Sequence, residues 1–181
     1  MTHRHGGQRD KEPVEDGAGR ATVFKAVGGK AVVLKLAFDM AIAGDDAPVP
    51  VYERPEAKRI EAEPDPYKAL EVFAYGVAER AARMAPIYWA IVEAAGADAQ
   101  AKQLLDELDA QRDRAGQLLV EELARKGALR AGVDRTRGAQ ILSVFLEPAA
   151  YRILVLHHGW TLTRFSTWLY TTLADQLLPR S

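Results

Sequence analysis

Any chemistry this chain performs must come from a short roster of side chains. There is no cysteine, which removes disulfides, thiolate catalysis, zinc–thiolate sites and thiol redox sensing together. His3 and His5 sit in a polar stretch without the further ligands a stable metal site demands. His157 and His158 are adjacent, so on a helix they point about 100° apart and cannot share an ion. Partly cationic side chains near a helix C-terminus are the simpler reading of that pair. No Glu-x-x-His occurs, so the ligand pattern of di-iron bundles is missing. Gly29-Lys30 is not a phosphate loop, because Ala31 stands where Ser or Thr is needed and Phe24 where the first glycine belongs. No Gly-x-Ser-x-Gly elbow is present. The carboxylate pairs Glu121/Glu122 and Asp106/Asp109 fall on charged helix faces and read as solvated. The expectation is a protein that is not an enzyme, with no catalytic residue, metal or cofactor, and with no buried charged cluster to receive a charged ligand.

Composition narrows the class further. Of 181 residues, 48% are hydrophobic and 27% charged, the balance of an ordinary globular chain. A net charge of -1 means that any affinity for nucleic acid must come from a local basic patch. The first 20 residues contain no apolar run, which argues against a signal peptide or anchor there. Elsewhere charge is expected to break the apolar stretches before they could span a bilayer. The resulting expectation is a cytoplasmic protein without membrane contact and with a disordered stretch over residues 1–20.

The elements that would hold a site follow from periodicity and punctuation. Ala21 to Val27 has the makings of two helical turns, stopped by Gly28 and Gly29. Lys30 to Ala43 carries Val33, Leu34, Ala37, Met40 and Ala41 at helical spacing. Residues 45–66, rich in proline and charge, read as an extended, loose linker. Asp65 is a cap with Pro66 at the first helical position. The following helix is expected to be interrupted at Pro86, which restarts the chain into IYWAIVEAAG. A long helix is expected from about Asp98 to Lys126, and another after an Asp134 cap, broken at Pro148. AYRILVLHH resumes it until Gly159, and Thr161 or Thr163 caps a last helix ended by Pro179. With no strand in view, the fold class is all-α.

Two stretches carry a resemblance. TVFKAVGGKAVVLKL, residues 22–36, resembles the recognition-helix end of a TetR-family regulator, whose pattern runs roughly T-[VI]-[YF]-x-x-[FV]-x-[GS]-K-x-x-L. FLEPAAYRILVLHHGWTLTRFSTWLYTTLADQLLP is similar to that family's closing helices. The resemblance rests there on Glu147, Pro148, Tyr151, Leu154, Val155, Gly159, Trp160, Thr161, Phe165, Trp168 and Leu169. It implies a TetR-like helical bundle with a partial helix-turn-helix over residues 21–44 and an effector-binding and dimerisation domain over 67–181. Thr22, Phe24 and Lys25 would then lie at double-stranded operator DNA, and Lys30 on a phosphate beside a helix N-terminus. Phe24 replaces the usual tyrosine and its hydroxyl. Residues before Ala21 offer only Val14 and Ala18 as apolar side chains in HRHGGQRDKEPVEDGAGR, so the head reads as truncated.

The resemblance also implies an apolar effector pocket and a homodimer. Phe73, Val77, Met84, Tyr88 and Trp89, faced by Leu118 and Phe145, are the residues expected to line a pocket for a small hydrophobic ligand. Trp160, Phe165, Trp168, Leu169 and Leu173 are expected to form the dimer interface. The function implied is a one-component transcriptional repressor. The alternative is a dimeric ligand-binding or interaction protein that has lost DNA binding.

Overall fold

Acidic side chains and prolines set where the helices begin. The computed structural model of the chain describes residues 29–43 and 55–180, and all regular structure within them is helical. α1 spans Lys30–Ala43, α2 Pro55–Ala62, α3 Pro66–Ala95, α4 Ala99–Arg125 and α5 Arg135–Phe145. α6, Pro148–Tyr151, runs directly into a π-helix over Arg152–His157, and α7 spans Leu162–Leu177. The expected helix Ala21–Val27 lies outside the described residues.

Four caps fix the register of the body. Asp65 accepts from the Tyr67 amide at 2.9 Å, with Pro66 opening α3. Asp98 accepts from Gln100 and Ala101, Asp134 from Arg137 and Thr161 from Arg164. Each cap contributes about 1 kcal/mol by satisfying amides that would otherwise lack a partner. Gly159, the expected stop, sits at φ 68°, a left-handed conformation that costs glycine nothing.

Two expectations are corrected by packing. α3 does not restart at Pro86 but continues through it. The ring faces solvent, and buried Ala81, Ala85, Tyr88 and Ile91 hold the helix on either side of the lost backbone bond. The expected loose linker contains α2, which docks on α3 although none of its residues is fully buried. Ile60 packs against the core, Lys126 Nζ donates to the Glu61 carbonyl at 3.0 Å, and an ion pair pins the first turn. Glu56 receives two bonds from Arg80 Nη1, at 2.9 and 2.7 Å, with its carboxyl group lying over Gly76.

α3 is the central element, packing against α1, α2, α4 and α7. At one end Leu70 and Phe73 meet Leu119, Leu123, Leu142, Leu169, Leu173 and Leu177. Each such leucine taken fully from water stabilises the fold by roughly 1.5–3 kcal/mol. A second cluster joins α1 to the other end through Phe38, Tyr88, Ile91, Leu104 and Leu108. A third seats Tyr151 and Phe165 on the alanine face Ala78, Ala81 and Ala85. One run departs from the expectation that charge would interrupt apolar stretches early. Arg135–His157 is apolar and long enough, by length and composition, to cross a membrane, with 22% of its most apolar window buried. Between Arg137 and His157 its charged residues are Glu147 and Arg152 alone.

Candidate functional site

Pro148 and the π-helix decide what the surface beside α7 presents. In a π-helix the backbone bonds to the fifth residue back, seen here as the His158 amide on the Ile153 carbonyl at 3.0 Å. Tyr151 and Phe165 meet edge to face at 5.5 Å and anchor the inner side. On the outer side Ile153 and Leu156 are 51% and 58% exposed, and Val144 on α5 is 67% exposed. Trp168 links these elements, its ring 6.2 Å from Phe145, 5.7 Å from Phe165 and 6.3 Å from Trp160. The Arg164 guanidinium lies 4.1 Å from the Trp160 ring centre. Trp160, Thr163, Arg164, Thr167, Trp168 and Thr171 line an open groove of about 540 Å³ along α7.

This placement divides the five expected interface residues. Trp160 and Trp168 are partly exposed and line the groove. Phe165, Leu169 and Leu173 are 2%, 0% and 0% exposed, because α7 turns that stripe into the chain's own core. Sequence reasoning missed Val144, Ile153 and Leu156. The outward direction of Ile153 and Leu156 depends on the π-helix, which apolar periodicity does not reveal.

The seven expected pocket residues do not converge. Phe73, Val77 and Phe145 belong to the first cluster, whereas Met84, Tyr88 and Trp89 belong to the second. Leu118 is half-buried on α4 and lies in none of the clusters. None of the seven lines the groove on α7.

Beside Tyr88 lies a group of paired charges. Arg112 on α4 pairs with Asp109 at 3.1 Å and with Glu147 at 2.8 Å, and its side chain is 17% exposed. The Tyr88 hydroxyl is among the groups that act on its charge. Burial works against the charge on Arg112, but Glu147 and Asp109 outweigh it and hold its pKa above the ordinary value. Burial chiefly, with help from the same two carboxylates, pushes the Tyr88 phenol above its usual range. Trp89 Nε1 and Arg112 Nε are buried without a hydrogen-bond partner. The Arg152 guanidinium stacks 4.3 Å from the Trp89 ring centre. One arginine thus ties α4 to the turn before Pro148, beside Tyr88 of α3. The Asp109–Arg112 spacing of three is visible in the sequence; the Glu147 partner, 35 residues on, is not.

Of the four expected DNA contacts, Thr22, Phe24 and Lys25 lie outside the described residues. Lys30 is exposed and is the first residue of α1. α1 is fastened to the body by Phe38, whose ring is 6.5 Å from that of Tyr88, and by the Ala41 carbonyl, which accepts from Arg83 at 2.9 Å. His157 and His158 are exposed with their rings 4.8 Å apart. Among the described residues no group of three or more His, Asp or Glu is placed to hold a metal ion. No protein-family model matches the chain, and neither a curated protein nor a solved structure is significantly similar to it.

Proposed function

We propose that the chain is a one-component transcriptional regulator of TetR type, a repressor that acts in the cytoplasm as a homodimer on operator DNA and is released by a small hydrophobic effector. The reading rests first on the two resembling stretches. The structural observation that carries it is that both stretches adjoin surface with unspent binding capacity. The first runs into exposed Lys30 at the start of α1, where the positive end of the helix dipole favours a phosphate. The second leaves Val144, Ile153, Leu156 and part of Trp160 and Trp168 open to solvent. A second copy would cover that apolar face.

A route from effector to DNA follows from the packing. An effector that moves Tyr88 or Trp89 acts on Phe38 of α1 directly, and on the α4–Glu147 tie through Arg112. Differential affinity for two positions of α1 is all that release requires. The test is fluorescence anisotropy on DNA from upstream of the chain's own gene, at two salt concentrations. The expected result is sequence-selective binding that weakens steeply with salt, with Lys30→Ala reducing the salt slope by about one. Absence of selective binding would leave the dimeric ligand-binding protein as the account to keep.

A further inference from the structure

The run Arg135–His157 is apolar enough for a lipid environment, yet only 22% of its most apolar window is buried. A core helix would hide most of such a run. Leu142, Leu146 and Tyr151 are seated in the chain's own core, and the helix breaks before Pro148, so the run is placed to lie on a bilayer rather than through it. On α5, Arg137, Gln140 and Val144 are exposed at three- and four-residue spacing and share one side. On the π-helix, Arg152, Ile153, Leu156 and His157 are exposed while Leu154 and Val155 are half-buried. The Glu147 amide bonds the Val144 carbonyl at 3.4 Å and the Trp160 amide the Leu154 carbonyl at 3.0 Å, which keeps Val144 and Trp160 beside the π-helix.

We propose that this face binds the surface of an anionic phospholipid bilayer, with Val144, Ile153, Leu156 and Trp160 entering the headgroup region and Arg137, Arg152 and Arg164 on lipid phosphates. The charge around the apolar residues selects that occupant. Between Arg137 and Ala174 the arginines are Arg152 and Arg164 and the one acid is Glu147, which Arg112 already holds at 2.8 Å. The face is therefore apolar with a cationic rim that lacks a free carboxylate from its own run. The Arg164 guanidinium lies 4.1 Å from the Trp160 ring centre, an apolar body under a charged tip, as the boundary between headgroup and acyl chain favours. A second copy would cover the apolar residues but would bring an identical cationic rim against the first. An anionic bilayer matches both parts of the face. The two occupants exclude one another, so the bilayer-bound chain is a single copy and, on the regulator reading above, is held off its operator. The lipid contact itself depends on this face alone and holds whether or not the chain binds DNA.

Co-sedimentation of the full chain with vesicles tests it, comparing equal parts phosphatidylglycerol and phosphatidylcholine with phosphatidylcholine alone. The expected result is binding to the anionic vesicles that weakens with salt and is several-fold lower on the neutral ones. Leu156→Gln should lower the partition about tenfold and Arg164→Gln about fivefold. Both side chains are exposed, so the fold is retained, which circular dichroism checks. Absence of binding to the anionic vesicles would overturn the proposal and leave a second copy as the occupant of the face. Equal binding to both kinds of vesicle would overturn it as well, as would binding that either substitution leaves intact. The regulator reading fails separately, on operator DNA without lipid.

Discussion

Replacing Gly76 by alanine sets two opposed effects against each other. Alanine in a helix interior is about 1 kcal/mol better than glycine. At Gly76 the added methyl would overlap the Glu56 carboxyl group, which lies across that position to reach Arg80. Glu56 is flexible and can swing aside, so the cost is the ion pair rather than a rigid clash. Both side chains are mostly covered, at 26% and 19% exposed for Glu56 and Arg80. Charge-assisted bonds of that kind contribute roughly 1.5–3 kcal/mol, less what each group regains from water. We expect G76A to be neutral to destabilising by about 1 kcal/mol in the wild-type background and stabilising by about 1 kcal/mol in E56A. Urea denaturation followed by circular dichroism gives all four corners of the cycle. Hydrogen exchange should place the wild-type loss in α2, which has no buried residue to retain it. Equal effects of G76A in the two backgrounds would show that Glu56–Arg80 does not hold α2, and the reasoning would fail.

Three further outcomes follow from the same contacts. Gly138 is the opposite case to Gly76: an added methyl meets both methyl carbons of Val120 at 3.0 and 3.2 Å, and a buried β-branched side chain cannot swing away. G138A should therefore destabilise by about 1–2 kcal/mol despite its better helix propensity, as read from the urea midpoint. Leu169→Asp, at a fully buried core position, should cost 4 kcal/mol or more (an order-of-magnitude figure) and unfold the chain, whereas Leu156→Asp should keep the circular dichroism spectrum and halve the mass seen by light scattering. An unchanged mass for Leu156→Asp would remove the outer face from the dimer. Arg125 chiefly, then Lys126, holds the Glu122 carboxyl below its ordinary pKa, so its contribution is present above the unfolded value and fades as pH falls through the folded one. The stability gap between wild type and Glu122→Gln should close on acidification below the usual carboxylate range; a gap that widens there would contradict that pairing.

How far the sequence could be read depended on whether the information was local. Asp65, Asp134 and Thr161 were readable as caps because a cap is a residue type beside an apolar rhythm. The extent of α1, Lys30–Ala43, followed from the same rhythm. Pro86 misled, because the cost of a proline inside a helix is local, whereas the burial of Ala85, Tyr88 and Ile91 that sustains α3 is tertiary. α2 was hidden in a proline- and charge-rich stretch since its anchor, Arg80, lies 24 residues away. The same limit applied to the candidate site. Phe165, Leu169 and Leu173 were legible as one stripe, but a stripe carries no label saying whether it faces the core or a partner. Arg112, half-buried and bound to Asp109 and Glu147, resembles any other charge on a polar helix face until α3 and the Pro148 turn are brought beside it.

The π-helix at Arg152–His157 makes chain length itself adjustable at one place. Each residue of an α-helix advances the chain by about 100°, so deleting one residue from α5 or α7 would rotate everything beyond it out of phase with the core. A π segment holds one residue more per hydrogen-bonded ring than an α segment. Losing one residue there would let the run revert to α geometry while Tyr151 before it and Trp160 after it kept their seats. What would change is the set of side chains pointing outward, at present Ile153 and Leu156. A single-codon deletion could therefore reassign the partner of this surface without disturbing the fold beneath it, a route to new specificity that no substitution within an ordinary helix offers.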